Sequence, residues 1–300
     1  MLHAGSAVHL VPREFPRLTT SGETLPPVTS SASSKPAVEA QSLLPSPYIP
    51  LAGEAELRGL ISAQIKRQAN GGEAMVHVVT GPCGAGKHTL LKAAALMPEM
   101  QGSKDPLVNP WIELITPEID AGDKLSVKAK LGIEILTRID QRKPSHYLLK
   151  VADPEETWLR ANGRLGDVGA KWLVFTKFDR ALVRNKTKDK EALAGKINRL
   201  VHDSRINVIL CGSPKVGRFV DAYLERPCSR QLVRPFDGEP FADLGRFMTE
   251  YLKAYEFDDR EELNRGEFLE VLHIAGDGLL AKTVHLLKMA CEQAKADPAR

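Results

Sequence analysis

The amino-acid sequence predicts an α/β fold with a mostly parallel sheet, followed by a small all-helical region. Between about residues 49 and 236, short apolar segments typical of buried strands alternate with longer segments of helical periodicity. A glycine-rich segment joins the first of these strands to a helix, and beyond about residue 237 only helical patterns remain. Because strands that alternate with helices pair in parallel through right-handed crossovers, we expect a three-layer core with helices on both faces of the sheet.

The composition narrows the class of protein. A chain of 300 residues that is 43% hydrophobic can bury a core of ordinary size, and its formal net charge of +3 is too small to indicate nucleic-acid binding without local clustering. Cys83, Cys211, Cys228 and Cys291 have no metal-ligand spacing and are predicted to be buried, reduced thiols. The sequence shows no apolar segment of membrane-spanning length and no secretory signal, so we predict a cytoplasmic protein without membrane contact.

The first 48 residues are rich in Ser, Thr and Pro and lack hydrophobic periodicity, which predicts a flexible tail. Within it, residues 12–18 are either a short docking peptide or part of the solvated tail. The predicted organisation is therefore a low-complexity tail over residues 1–48, an αβα core over residues 49–236 and a helical lid over residues 237–300.

The elements of the core follow from the spacing of apolar residues. An amphipathic helix is predicted over residues 53–68, and Gly71-Gly72 ends it. The predicted strands cover residues 75–80, 110–115, 171–175 and 206–213. Two of the intervening helices have apolar residues at helical intervals, Val127, Leu131, Ile135 and Ile139 in one and Leu193, Ile197, Leu200 and Val201 in the other. Residues 154–166 also have a helical pattern.

A phosphate-binding loop is predicted between the first strand and its helix. Its residues are Gly81, Pro82, Cys83, Gly84, Ala85, Gly86, Lys87, His88 and Thr89. The glycines allow successive backbone N–H groups to curl around a phosphate, while Lys87 and the helix N-terminus add positive charge. The P-loop pattern G-x4-G-K-[ST] is matched except at its last position, where His88 replaces the hydroxyl residue that holds Mg²⁺. The loop therefore predicts ATP binding and puts Mg²⁺ binding in question.

The carboxyl ends of the strands are expected to complete the site. Ligands of parallel sheets bind at this edge, which brings the loop, Thr176 and Ser213 around one crevice. In a P-loop ATPase, the strand that corresponds to residues 171–175 ends in Asp-Glu, where the Asp orients Mg²⁺ and the Glu polarises the attacking water. Thr176 and Lys177 occupy those positions here, and neither supplies a carboxylate. Asp179, two residues farther on, is the remaining candidate for a metal-orienting group.

Two basic segments are candidates for contact with the DNA backbone, because clustered lysines and arginines neutralise phosphates. The first follows the second strand and contains Lys124, Lys128, Lys130 and Arg138. The second extends over residues 177–190, and its DNA-contacting candidates are Arg184, Lys186, Lys188 and Lys190. A solvated helix face and an ordinary exposed loop remain the alternatives for the two segments.

Three amphipathic helices are predicted beyond residue 237. Their apolar positions are Leu244, Phe247, Met248, Tyr251 and Leu252 in the first, Phe268, Leu269, Leu272 and Ile274 in the second, and Leu279, Leu280, Val284, Leu287 and Met289 in the third. Gly276-Asp277-Gly278 is the predicted turn before the last helix. A sheet-containing core followed by this helical piece predicts a core-plus-lid architecture.

In this order the features resemble an AAA+ ATPase, and more closely the TniB/TnsC/MuB group, the ATP-dependent regulators of DNA transposition. The resemblance spans roughly residues 48–295. It rests on the loop motif Gly81-x4-Gly86-Lys87, the strand ends at residues 171–179 and 208–213, Ser229-Arg230, and Gly276-Asp277-Gly278-Leu279-Leu280 at the start of the last helix. The loop and the Gly-x-Gly-Leu-Leu helix start are the more specific of these motifs.

The resemblance implies roles for three further residues. Ser213 matches sensor 1, a polar group at the γ-phosphate or the attacking water, and Arg230 matches the arginine finger offered to the nucleotide of a neighbouring subunit. Lys282 is near the sensor 2 position of the lid. Each has a structural alternative: Ser213 also fits a helix cap, Arg226 and Arg234 are neighbours that could replace Arg230, and Lys282 also fits an ordinary surface lysine.

Hydrolysis is expected to be weak or absent, because His88, Thr176 and Lys177 change all three groups that handle metal and water. Thr89 cannot replace the missing hydroxyl, since successive helical side chains diverge by about 100°. The intact loop and Lys87 still allow ATP to bind. The sequence therefore predicts a nucleotide-binding protein and leaves open whether it is an enzyme.

The leading hypothesis is a TniB-like binding protein that forms homo-oligomers on duplex DNA and recruits or regulates a transposase or target-selection protein. One alternative is an active ATPase that uses Asp179 and a re-routed metal. Another is a nucleotide-independent adaptor that holds its partners through the lid and the tail. A small-molecule kinase is a more distant alternative, because the lid and Ser229-Arg230 fit an oligomeric switch better.

Overall fold

Strands and helices alternate along the chain as the sequence predicts. The computed structural model describes residues 49, 51, 53–101, 108–117, 126–141, 153–183, 187–224, 228–234, 236, 242–254, 263 and 265–296. The strands are β1 (Val76–Thr80), β2 (Trp111–Ile115), β3 (Trp172–Thr176), β4 (Asn207–Gly212) and β5 (Cys228–Leu232). The helices up to β5 are α1 (Glu54–Ala69), α2 (Lys87–Ala95), α3 (Val127–Asp140), α4 (Pro154–Asp167), α5 (Thr187–His202) and α6 (Pro214–Tyr223). The helices after β5 are α7 (Ala242–Ala254), α8 (Gly266–Ala275) and α9 (Leu280–Ala296).

The strands form one parallel sheet in the order β2-β3-β4-β1-β5. β1 pairs with β4 on one side and β5 on the other, so that Val76 is opposite both Val208 and Cys228. The chain leaves β1 for the far strand β2 and then returns through β3 and β4 to β5, so the direction of winding reverses after β1. Right-handed crossovers then place α2 on one face and α3–α6 on the other. This arrangement confirms the predicted α/β class.

Each face of the sheet has its own hydrophobic core. α1 and α2 cover one face with buried residues that include Leu57, Ile61, Leu90 and Leu91. α3–α6 cover the other face, and their buried residues include the predicted Leu131, Ile135, Leu193, Ile197, Leu200 and Val201. Successive residues of one strand point into opposite cores, as Val78 and Val79 of β1 do. The sheet is thus packed on both faces, and Gly81 N at the start of the loop donates to Gly212 O of β4 at 3.3 Å.

The N-terminal turns of α3, α4 and α5 are at the carboxyl edge of the sheet. Helices that return from one parallel strand to the start of the next run antiparallel to the strands. α3 and α4 run side by side in the same direction, since Gly132 packs against Thr157 and Asp140 bonds to Arg164 at 2.9 Å farther along both helices. α3 begins after its capping residue Ser126. These helices therefore begin on the same side of the molecule as the loop.

α7, α8 and α9 form a third hydrophobic cluster. Its buried residues include the predicted Leu244, Phe247, Met248, Tyr251, Leu252, Leu269, Leu272 and Leu287. Ile274 and Met289 were expected in this core, but they are 66% and 45% exposed. Their spacing from the buried residues Leu272 and Leu287 turns them to other sides of their helices. Ile49 joins the cluster, so the chain before α1 contacts the helical region.

β5 is a strand that the sequence analysis does not predict. Its residues Cys-Ser-Arg-Gln-Leu are mostly polar, and it forms one edge of the sheet, where only Gln231 is fully buried among the five. An edge strand needs no continuous apolar pattern, which is the pattern that identified the other four strands.

Several predictions concern parts of the chain outside the described residues. These are the tail over residues 1–48 and the basic residues Lys124, Arg184 and Lys186. The division into a core over residues 49–236 and a lid over residues 237–300 stays a prediction.

Candidate functional site

The glycine-rich loop runs from β1 into α2 with the backbone geometry of a phosphate cradle. Gly84 and Gly86 have φ angles of 84° and 93°, in the left-handed region that favours glycine. α2 begins at Lys87, and no side chain among the described residues caps its first N–H groups. Lys87 Nζ donates to the carbonyls of Gly81 and Pro82 at 2.8 and 2.6 Å. The loop therefore gathers uncapped N–H groups and an ammonium group at one point, where they attract anions.

Other parts of the chain approach two glycines of the loop closely. A Cβ on Gly81 would be 2.2 Å from Val233 O, in the chain that follows β5. A Cβ on Gly86 would be 2.8 Å from carbon atoms of both Leu51 and Leu280. The loop is therefore enclosed by the end of the sheet, the chain before α1 and the first turn of α9.

One side of α9 faces the loop. Ala281 N donates to Gly84 O at 3.0 Å, which joins the start of the helix to the loop backbone. The residues of α9 that line the adjoining cavity are Leu280, Ala281, Val284 and Lys288. Lys282, which the resemblance assigns to sensor 2, is on another side of the helix and pairs with Asp277. Because the cavity-facing positions recur every four residues, the lysine that reaches the cavity is Lys288.

Two adjoining cavities flank the loop. The first, of about 770 Å³, is bounded by the loop, the ends of β3 and β4, and α9. The second, of about 810 Å³, extends from the loop toward α7 and the chain after β5. The residues that border both are apolar: Ile49, Leu51, Phe247 and Leu280. Cavities of roughly 300–1,000 Å³ with an apolar lining and a few polar groups are typical of small-molecule sites.

The charged side chains around the first cavity are mainly basic. Lys87, Lys177, Arg180 and Lys288 line it, and Asp179 is the one carboxylate in this lining among the described residues. A concave surface with this excess of positive charge attracts anionic ligands. The loop and its surroundings therefore favour the same class of ligand.

Asp179 is bonded to the backbone at the end of β4. Its Oδ1 accepts a hydrogen bond from Ser213 N at 3.1 Å, and a Cβ on Gly212 would be only 2.4 Å from this oxygen. Ser213 borders the cavity, but its hydroxyl does not cap α6, and its buried Oγ has no partner among the described residues. The structure therefore brings the two predicted residues together, with one Asp179 oxygen used to position the start of α6.

Thr176 and Lys177 have different surroundings at the end of β3. Thr176 is 5% exposed, and its Oγ1 donates to Leu114 O at 2.9 Å. Lys177 is exposed at the border of the cavity, with a φ angle of 53° where the chain enters the 3₁₀ helix Phe178–Ala181. The hydroxyl at the strand end is thus engaged with the backbone, and the next side chain brings a positive charge.

Glu113 of β2 is a site residue that the sequence analysis misses. His88 Nδ1 is 3.2 Å from Glu113 Oε1, which places Glu113 beside the loop. The signal in the sequence was a carboxylate inside an otherwise apolar strand, Trp-Ile-Glu-Leu-Ile, near the strand end where ligands of parallel sheets bind. His88 therefore meets a carboxylate at the position where a P-loop ATPase has its metal-binding hydroxyl.

The donors present do not fit the Mg²⁺ site of a P-loop ATPase. Magnesium requires oxygen ligands in near-octahedral geometry, usually with one or two carboxylates. At the three positions concerned, His88 is paired with a carboxylate, the Thr176 hydroxyl is bonded to a carbonyl, and Lys177 replaces the second acid. Thr89 also borders the cavity, one residue beyond the position of the metal-binding hydroxyl. Within the described ranges, no group of three or more His, Cys, Asp or Glu side chains could hold a metal ion.

Arg230 lies on the edge strand β5 and lines neither cavity. It pairs with Asp221 of α6, and this ion pair lowers the pKa of the Asp221 carboxyl and raises the pKa of the guanidinium. Arg234 borders the second cavity instead, and Arg226 is outside the described residues. Of the two described arginines, the structure thus brings Arg234 to a cavity of its own chain.

Four described lysines of the two basic segments lie at the start of two neighbouring helices. Lys128 and Lys130 are in the first turn of α3, and Lys188 and Lys190 are in the first turn of α5. α3 and α5 pack against each other. Lys188 is exposed, and the other three lysines are half-buried. The structure therefore brings these four to one edge of one face of the sheet.

The prediction that all four cysteines are buried is wrong. Cys211 is buried on β4, where desolvation raises the pKa of its thiol to about 12. Cys83 is exposed, because it belongs to the loop at the surface. Cys228 and Cys291 are half-buried.

Fold and loop together have the α/β architecture of a P-loop NTPase core. Similar solved structures include a Walker-type ATPase of Pyrococcus abyssi, with 16% identity, a TM-score of 0.53, and coverage of 81% of this chain and 67% of that one. The ADP form of the ORC2 protein of Aeropyrum pernix is 15% identical, with a TM-score of 0.50 and coverage of 85% and 68%. Drosophila ORC bound to DNA is 14% identical, with a TM-score of 0.53 and coverage of 94% and 66%.

At these identities the likeness concerns the fold, and the chain spans about two thirds of each of those chains. No protein-family model matches the sequence, and no curated protein matches it either. Within the described part of the chain, every helix is too short or too polar to cross a lipid bilayer.

Proposed function

We propose that this protein binds ATP at the loop between β1 and α2 and uses the bound nucleotide to control its assembly on duplex DNA. The observation that carries the proposal is the position of Lys87 and the uncapped N–H groups of α2 beside a cavity that α9 closes. Backbone N–H groups, a lysine and a helix N-terminus at one point favour the phosphates of a nucleotide.

The apolar section between the two cavities provides a place for the base of the nucleotide. With its phosphates at the loop, a nucleotide would extend toward Ile49, Leu51, Phe247 and Leu280. Removal of the ring surface from water would stabilise the complex. Because these residues come from the chain before α1, from α7 and from α9, the ligand would contact both the sheet-containing region and the helical region. Differential contact of this kind is what a ligand needs to shift a conformational equilibrium.

ATP hydrolysis is weak or absent in the proposed function. The positions of the metal hydroxyl and the two acids have His88, Thr176 and Lys177, and Asp179 uses one oxygen to hold Ser213 N. A nucleotide would therefore act as an assembly signal without rapid turnover.

Duplex DNA is the proposed partner of the lysines at the start of α3 and α5. Lys128, Lys130, Lys188 and Lys190 are beside helix N-termini, where both charge and backbone N–H groups favour phosphate oxygens. One of the structures with a similar fold is Drosophila ORC bound to DNA, which adds support at the level of the fold.

The finer proposal is a regulator of DNA transposition similar to the TniB/TnsC/MuB group. In it, copies of the chain assemble on DNA, Arg230 contacts the nucleotide of the neighbouring copy, and a transposase or target-selection protein binds the assembly. The position of Arg230 on an exposed edge strand, away from the cavities of its own chain, supports this part.

The salt dependence of DNA affinity tests the proposed interface. Each phosphate contact that is lost should lower the slope of log affinity against log salt by about one. We therefore expect the double variant Lys188→Ala, Lys190→Ala to bind duplex DNA more weakly and with a slope lower by about two. The matched control is Lys66→Ala, Lys171→Ala, which removes two exposed lysines at the opposite edge of the sheet. Binding that does not respond to salt, or equal losses in both double variants, would contradict the proposed interface.

A further inference from the structure

The charged side chains around the first cavity indicate which ionic form of the ligand this site prefers. This inference rests on the proposed nucleotide binding. The basic side chains come from three separate elements. Lys87 begins α2, Lys177 and Arg180 follow β3, and Lys288 belongs to α9. Positive charge therefore surrounds the polar end of the cavity from the loop, the sheet and the helical region.

Lys177 is held at the cavity by the backbone. Its left-handed conformation, with a φ angle of 53°, turns the chain from β3 into the 3₁₀ helix Phe178–Ala181. Phe178 is completely buried, so this turn is anchored in the core of the sheet. The same turn supplies Arg180 to the cavity. The turn that carries these two cations is therefore anchored in the core of the sheet.

The carboxylates nearest to the loop have other partners. Glu113 faces His88 at 3.2 Å, and Asp179 accepts from Ser213 N at 3.1 Å. Within the described ranges, neither belongs to a group of three or more His, Cys, Asp or Glu side chains that could hold a metal ion. A divalent cation that approached the phosphates would meet Lys177 where a P-loop ATPase offers an acid.

The charge of the ligand decides which form gains most from these cations. A nucleoside triphosphate without its metal carries a larger negative charge than its magnesium complex, and Coulomb attraction grows with that charge. Mg²⁺ on the phosphates would in addition be repelled by the surrounding ammonium and guanidinium groups. The lining that disfavours the metal thus favours the free nucleotide.

We propose that this site binds nucleoside di- and triphosphates in their metal-free form, with Lys177, Arg180 and Lys288 supplying the charge that Mg²⁺ supplies in a P-loop ATPase. The site then lacks the oxygen ligands of a magnesium site because its cations bind the phosphates directly. Lys87 and the N–H groups of the loop keep the role that they have in other P-loops.

Calorimetric titration of the full chain with ATP tests this proposal, once in excess EDTA and once in excess Mg²⁺. We expect binding in EDTA to be as tight as, or tighter than, binding in Mg²⁺. Lys177→Asn removes the charge while asparagine tolerates the left-handed backbone, and it should weaken the binding of metal-free ATP about tenfold. Lys288→Gln, at an exposed position of α9 that borders the cavity, should also weaken it.

Lys171→Gln is the matched control, because this exposed lysine is at the other end of β3 and outside the cavity lining. It should bind ATP as the unmodified protein does. ATP binding that becomes tighter with Mg²⁺ would overturn the inference and leave the proposed function intact. Unchanged binding in both Lys177→Asn and Lys288→Gln would also overturn it. If ATP does not bind in either buffer, the proposed function fails, and the inference fails with it.

Discussion

His88, Thr176 and Lys177 change the side chains around a phosphate-binding loop whose backbone is intact. Each has a defined contact or position: His88 faces Glu113 at 3.2 Å, Thr176 donates to a carbonyl, and Lys177 borders the cavity. None of them provides an ionised oxygen for a metal or for the attacking water. The loop backbone is unaffected, because its shape depends on glycines and on Lys87 rather than on these three residues.

His88, Thr176 and Lys177 are expected to determine the rate of ATP hydrolysis. The loss of one electrostatic contact to a transition state typically costs about 3–4 kcal/mol, so the combined changes should remove measurable hydrolysis. We expect phosphate release in excess ATP and Mg²⁺ to be no faster than that of Lys87→Ala. Faster release that disappears in Asp179→Asn would contradict this prediction and favour the active ATPase with a re-routed metal.

His77 makes the stability of the fold depend on pH. It is 4% exposed on β1, its ring centroid is 5.2 Å from that of Trp172, and desolvation by burial lowers its pKa to about 4. An unfolded histidine has a pKa of about 6.5, so below that pH the unfolded state binds more protons than the folded state. The contribution of His77 to stability therefore falls as the pH decreases from about 6.5 to about 4, by about 3 kcal/mol in total.

The matching experiment follows the free energy of unfolding between pH 7 and pH 4. We expect His77→Gln to lose less stability across this range than the unmodified protein, because glutamine can keep a polar contact with Ser229 and does not titrate. His285→Gln, at an exposed position of α9, should leave the pH dependence unchanged. Identical pH profiles for His77→Gln and the unmodified protein would show that His77 does not control this behaviour.

At the scale of the elements, the end of β4 and the start of α6 are packed around glycine. A Cβ on Gly212 would be 2.4 Å from Asp179 Oδ1 and 2.7 Å from Val216 Cγ2, whereas a Cβ on Gly217 of α6 meets no atom within 4 Å. The same substitution should therefore have opposite effects at two positions five residues apart.

Chemical denaturation of the two alanine variants measures this contrast. Gly212→Ala should destabilise the protein by about 1–3 kcal/mol, because a tightly packed site must shift to accept the methyl group. Gly217→Ala should stabilise it by about 0.5–1 kcal/mol, since alanine is the better residue within a helix. Equal effects in both variants would contradict the packing described at the end of β4.

The strands differ in how well the sequence identifies them. β1, β2, β3 and β4 are mainly apolar and mainly buried, and their patterns predict them directly. β5 is polar because it lies at the edge, and it becomes a strand through its pairing with β1, which is more than a hundred residues earlier in the chain. That pairing depends on the order of the strands in the sheet, which local periodicity does not encode.

At the site, too, the sequence predicts the residues that are close along the chain and misses those that other elements bring in. Strand, glycine loop and helix are continuous in the sequence, so the phosphate cradle could be predicted from local residues. Glu113 and Lys288 reach the site from β2 and α9, and their positions depend on strand order and on the docking of α9 against Gly84. Lys282 is six residues before Lys288 on the same helix, and only the docked face of α9 distinguishes the two.

At the scale of the whole molecule, the loop is the point where the separate parts of the chain meet. Val233 after β5, Leu51 before α1, and Leu280 and Ala281 of α9 all contact it. A ligand in the loop would touch the same elements, and this is the physical basis for coupling nucleotide binding to assembly. The basic first turns of α3 and α5, at the same edge of the sheet as the loop, provide the surface on which DNA is proposed to bind.

The affinity of the full chain for duplex DNA, measured without nucleotide, with ADP and with ATP, is the most direct test of the account. Coupling between two sites on one protein typically changes affinity by about 5- to 150-fold, and we predict that ATP tightens DNA binding within that range. Lys87→Ala should bind DNA with the affinity of the nucleotide-free protein and should not respond to ATP. DNA binding that is the same in all three conditions would contradict the account, and so would the absence of DNA binding.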